Sequence, residues 1–283
     1  MLPAPVHARL DAWLGELDAR NADNVTRTDS YLELYAWCRG QGLDLPWIFM
    51  AHLVSRNAGY LMTDLARHLD RGGDPALASA SRWLFVLLER ANFLIFWDAW
   101  WHLGHALAGR REALTGPRTP RFMLDAWARF DAARAAAGGE IDAALHRALV
   151  IDLVTNEQNL IERRVVHHPD LAPGRRLLEL VEASGRERPL HVPIPDAPAI
   201  TVGGFAHLHR RIAAGARIYD EVLVDRGRRD ALLAWALAHP HTGSRAVYGG
   251  KDGPTVREAW PVETVRGLWP AVHAPAEPDP DYP

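Results

Sequence analysis

Apolar residues in this chain return every three or four positions and almost nowhere every two. Leu10, Trp13, Leu14 and Leu17 recur at helical spacing, as do Tyr31, Leu34, Tyr35 and Cys38. A pattern of this period presents one apolar stripe per helix, and such stripes must be buried against other helices. The only hint of strand alternation is Leu190-Val192-Ile194. A mainly α chain follows, of about eight to ten helices over residues 4–240, and no internal repeat interrupts it.

Punctuation places the helices. The run Asn24 to Ser30 is rich in N-cap residues and starts the second helix. Pro46 opens a third through about Asn57, and a long one is expected from Asp74-Pro75 to Ala108-Gly109. Pro120 opens another, with Phe122, Ala126, Trp127 and Phe130 on one face, and one more runs from Gly138-Gly139 to His167-His168-Pro169. A short amphipathic piece spans Arg175 to Ala183. Between Arg186 and Ala199 lie Pro189, Pro193, Pro195 and Pro198, so this segment must be extended, as a strap over the bundle or a linker. Helices over about Gly204–Val224 and Arg228–His239 follow, with Gly227 as the expected break. The reading is a single bundle-like domain over residues 1–250 and a short irregular tail over 251–283, Pro-rich, acidic and partly disordered.

Composition excludes several function classes. With 32 basic against 35 acidic side chains, the net charge of -3 offers no basic excess for nucleic acid. One cysteine, Cys38, rules out an intrachain disulfide and a thiolate zinc cluster, and points to a reducing compartment. The first residues lack a basic segment followed by an apolar one, so no leader is expected and a cytoplasmic location is. The stretch Trp83 to Leu107 is long enough to span a bilayer but holds Glu89, Arg90 and Asp98. Each such charge at mid-membrane costs roughly 2.5–3.5 kcal/mol, which favours a buried core helix and no membrane span. Phosphate-binding glycine loops, GxSxG, HExxH, EF-hand loops and Glu-x-x-His pairs are all absent from the sequence.

What remains is polar residues on apolar faces. At about 100° per residue, Val150, Leu153, Val154, Leu160 and Ile161 all fall within about 60° of Glu157, and Arg164 lies on the same line. Asp152, Thr155, Asn159 and Glu162 project to the opposite, wet side. Glu89 is surrounded in the same way by Phe85, Val86, Phe93, Phe96 and Trp100, with Asn92 nearly one turn on. A lone buried carboxylate costs several kcal/mol, so each needs a partner or a proton. His52 and Arg56, one turn apart in the third helix, are the natural partners. Asp98, His102 and His105 have spacing that could bind a metal, although a solvated surface is the simpler reading. His167-His168, His207 with His209, and His239 with His241 read as surface histidines.

At these residues the sequence resembles a bacterial family catalogued as DUF2515. The resemblance rests on Asn24-Val25-Thr26-Arg27-Thr28 with Tyr31 and Tyr35, and on Ala51 to Gly59 with Met62-Thr63-Asp64-Leu65. It continues through Leu88-Glu89-Arg90-Ala91-Asn92 with Leu94-Ile95-Phe96 and Asp98-Ala99, then Arg121-Phe122-Met123. Asn156-Glu157-Gln158-Asn159 with Ile161-Glu162 and Arg164-Val165, and His241 to Arg245, complete it over about residues 24 to 250. It implies a soluble, mainly helical protein and carries over no catalytic residue, since the family is named for having no known function.

Two readings of His52, Arg56, Glu89, Asn92, Glu157 and Arg164 stand open. In one they line an interior site for a small-molecule ligand, with acid–base or metal-assisted chemistry. In the other they form a satisfied network that fixes helix packing in a non-catalytic interaction protein. A peripheral membrane role, suggested by eleven tryptophans, ranks behind both for want of a basic stripe. The sequence names no cofactor and fixes no oligomeric state.

Overall fold

The computed structural model describes residues 4–20, 26–43, 45–46, 48–57, 79, 82–88, 90–91, 121–138, 143–183, 190–192 and 200–239. The chain is mainly α, as the periodicity requires. Helix α1 (Ala4–Arg20) lies against α2 (Thr26–Gly40), burying Leu10 and Trp13 with Tyr31, Leu34, Tyr35 and Cys38. Helix α2 ends where Gly42 takes φ +77, and Leu43 N–H returns to the Cys38 carbonyl at 2.9 Å. This left-handed C-terminal turn suits glycine, which has no Cβ to clash.

Helix α3 (48–57) is enclosed on almost every side: Ile48, Phe49, Ala51, His52, Leu53, Ser55, Arg56 and Asn57 are all buried. Residues 82–88 form α4, the described part of the expected long helix. Its first turn meets a later helix so closely that a Cβ on Gly174 would overlap the Trp83 carbonyl. No described helix is long and apolar enough to cross a membrane.

Helix α5 (Arg121–Ala136) packs on α6 (Ala143–Ile161), and Arg129 bonds Asp152 between them at 2.5 Å. The side chains of Phe122, Ala126, Trp127 and Phe130 lie outside the described residues. A π-helical turn, Glu162–Val166, closes α6 through the His167 N–H to Glu162 carbonyl bond at 2.9 Å. After a short 3-10 turn at Pro169–Leu171 comes α7 (Ala172–Ala183).

The proline-rich segment does contain strand. Strand β1 (Leu190–Val192) pairs antiparallel with β2 (Ile200–Val202), setting Val192 opposite Ile200. Val192, Ile200 and Val202 join the main core. Among the described residues, Val192 seats this segment on the bundle, as a strap would.

Helix α8 (Leu208–Ile218) lies along α6, and Gly215 permits the approach, since a Cβ there would come within 2.7 Å of Val154 Cγ1. A second π-helical turn, Tyr219–Leu223, follows α8, and Asp225 then caps α9 (Arg226–Ala238) by accepting from Arg228 N–H at 2.7 Å. Gly227 thus sits inside the first turn of α9. The break expected at that glycine is made instead by the Asp225 carboxylate, which satisfies an N–H that the helix start leaves unpaired.

Candidate functional site

The first polar network joins α2, α3 and the end of α9. Thr28, Ser55, His52 and Arg56 are all buried, the last two with 0% exposure. His52 Nδ1 lies 2.8 Å from the Thr28 carbonyl oxygen. A carbonyl only accepts, so Nδ1 carries the proton and Nε2 presents its lone pair. Burial pushes the pKa of His52 down to about 3; the bond to Thr28 opposes this and the charge of Arg56 adds to it. Nε2 is buried and has no hydrogen-bond partner among the described residues. The imidazole lies parallel to the Phe49 ring at 6.0 Å between centroids, and Phe49 stacks on Tyr35 at 4.7 Å. Beside them, the Thr28 and Ser55 hydroxyls are 2.5 Å apart.

Arg56 reaches across to the C-terminus of α9. Nη1 donates to the Ala236 carbonyl at 3.4 Å, Nη2 to the His239 carbonyl, and the guanidinium lies 4.7 Å over the Trp235 ring. Final-turn carbonyls lack intrahelical donors and carry the negative end of the helix dipole, so a buried cation suits them. Asp29, in the first turn of α2, also feels this charge. Its carboxyl is nevertheless held above the usual range by desolvation and by Glu33, although part of the residue meets solvent.

The second network joins α6 and its π turn to α8. Arg211, buried on α8, donates from Nε to Gln158 Oε1 at 2.9 Å and from Nη1 to the Phe205 carbonyl at 2.7 Å. Nη2 pairs with Glu162. Gln158 in turn donates to Glu157 Oε1 at 2.9 Å. Glu162 Oε1 is 3.0 Å from His167 Nε2, and His167 Nδ1 is 3.3 Å from Arg175 Nη1. Arginine only donates, so His167 carries its proton on Nε2 and donates to Glu162.

The expected site residues divide between these networks. His52 and Arg56 lie together in the first. Glu157 is half-buried beside Gln158 in the second, and Arg164 is half-buried in the π turn. Glu89, Asn92, Asp98, His102, His105 and residues 241–245 lie outside the described residues, as does the boundary at 250/251. Glu162, expected on the wet side, instead faces Arg211. Glu162 lies one turn beyond the buried Gln158, and both face Arg211, so the buried arc of this helix reaches further round toward α8 than a stripe centred on Glu157.

Arg211 was missed, yet its signal was present. It shares one stripe of α8 with the buried Ala214, Gly215 and Ile218, at spacings of three, four and seven. Thr28 and Ser55 gave no comparable signal, since small hydroxyl residues occur on either face of a helix. Of the expected surface histidines, His167, His207 and His209 are exposed, while His168 and His239 are half-buried. Among the described residues, no three His, Cys, Asp or Glu side chains converge as a metal site would require.

A family model described as "Protein of unknown function (DUF2515)" matches residues 19–275. The uncharacterized protein YppC of Bacillus subtilis (strain 168) is 30% identical over 166 residues, 53% of this chain. That match covers 44% of YppC, less than half its length. No solved structure matches the chain.

Proposed function

Because the chain belongs to the DUF2515 family, which is described as having unknown function, we propose a role from its own residues: a small-ligand-binding protein whose site is built around His52. The observation that carries this is the buried Nε2 lone pair without a hydrogen-bond partner among the described residues. An unsatisfied buried acceptor costs about 1–3 kcal/mol, which folding alone gives no reason to keep. Binding is favoured over acid–base catalysis, because a base with a pKa of about 3 takes a proton weakly at neutral pH. Metal-assisted chemistry is disfavoured by the Arg56 charge beside the imidazole. Glu89, Asn92, Glu157 and Arg164 remain candidates for the rest of the site. The functional unit is residues 1–250, in a cytoplasmic protein, with 251–283 as its tail.

The packing reading is favoured for Arg56, whose bonds close the end of α9. His52→Phe separates the two roles at His52. Thr28 is inside α2, so its carbonyl keeps its helical acceptor role without the imidazole. A ligand site predicts unchanged or raised stability with loss of any small molecule that native mass spectrometry finds retained in the wild type. A loss above about 2 kcal/mol in urea melts would make His52 a packing residue instead.

A further inference from the structure

The orientation of His52 constrains the chemistry of what it meets. This step rests on the ligand-binding reading above and narrows it. The Thr28 carbonyl holds the proton on Nδ1, so Nε2 offers one in-plane lone pair and nothing to donate. A cation or metal ion would be drawn to that lone pair, but the Arg56 guanidinium, one helical turn on and fully buried, opposes positive charge there. An anion would find a neutral ring presenting electron density. Arg56 donates to the Ala236 and His239 carbonyls. The hydroxyls of Thr28 and Ser55 bond one another and bring no charge.

We propose that His52 Nε2 accepts a hydrogen bond from the N–H or O–H of an uncharged ligand, and that the α2–α3 site selects against metal ions and anions. The low basicity of the ring supports this, because His52 stays neutral and keeps the lone pair available throughout the physiological range. Since His52 has 0% exposure, a ligand reaches Nε2 only through a local opening of the fold.

The test is nitrogen-15 NMR of the full chain labelled at histidine, with the His52 resonances assigned by their loss in His52→Phe. Acetamide, inorganic phosphate and Zn²⁺ are titrated separately. The expected result is an unprotonated Nε2 that shifts saturably toward hydrogen-bonded values with acetamide and stays unmoved by phosphate and Zn²⁺. A saturable Nε2 response to Zn²⁺ or phosphate would overturn the ligand class and leave the binding site standing. If none of the three moves Nε2, both the class and the ligand-binding reading fall. A proton found on Nε2 instead of Nδ1 would overturn the assignment at its root.

Discussion

The two polar networks are both built on a buried arginine, yet the groups described around each differ. Arg211 meets a carboxylate, an amide oxygen and a carbonyl, and its counter-charge continues through Glu162 to the exposed His167. Arg56 donates to two carbonyls at the end of α9 and lies over an aromatic face, with the nearby Asp29 carboxyl pushed toward its neutral form. The Arg211 network is an ion pair at the edge of the core, of the kind that fixes one helix against another. At Arg56 a cation serves as a helix terminator, and beside it an imidazole is left incomplete. Excess polarity that packing does not consume marks the better candidate for function.

The comparison breaks first at Arg56. Arg56→Ala removes a fully buried side chain and two charged hydrogen bonds to α9, so a loss of about 3–5 kcal/mol is expected in urea melts. A loss under 1 kcal/mol would mean that α9 does not depend on that cap.

Glu162→Gln should cost less, about 2 kcal/mol, because the pair is partly screened at 18% exposure of the carboxylate. With Arg211→Met it should be non-additive by at least about 1 kcal/mol, whereas Arg56→Met and Glu157→Gln should add within about 0.5 kcal/mol. Additivity in the first pair would dissolve the Arg211 network, and strong coupling in the second would merge the two.

Next comes pH. The unfolded chain protonates His52 near 6.5 and the folded chain only near 3. Between those values the unfolded state binds more protons, so stability is retained above about 6.5 and falls as pH falls, by up to about 1.4 kcal/mol per unit. Melts at stepped pH should show a slope that is shallower in His52→Phe. Equal slopes would show that His52 titrates normally in the fold.

The smallest effect is expected at Gly215→Ala, about 1 kcal/mol, because the Val154 side chain must yield to the new Cβ. No change in a thermal melt would mean that α8 and α6 have slack at their crossing.

The helices were legible in the sequence because each buries one stripe, and a stripe has a period. His52 and Arg56 were legible as polar residues on an apolar face. Their partners were not. Thr28 contributes a backbone carbonyl, and Ala236 and His239 do likewise; carbonyls are common to every residue and leave no mark in a sequence. Glu162 was misread because the projection allowed its helix one buried stripe, whereas α8 covers a second face through Gln158 and Glu162. The strap was read as extended from its prolines, but strands of three residues are too short for their pairing to show a period in the sequence.

The bond between Arg56 and α9 also has a consequence in time. Arg56 precedes the Ala236 carbonyl by 180 residues. At a synthesis rate of roughly 5–20 residues per second, the arginine leaves the ribosome about 9–36 seconds before its acceptors exist. Throughout that interval two of its acceptors are missing, so the contact of α3 with α9 stays open. Helix α3 therefore waits for the last described helix, and the fold closes by joining its early and late segments.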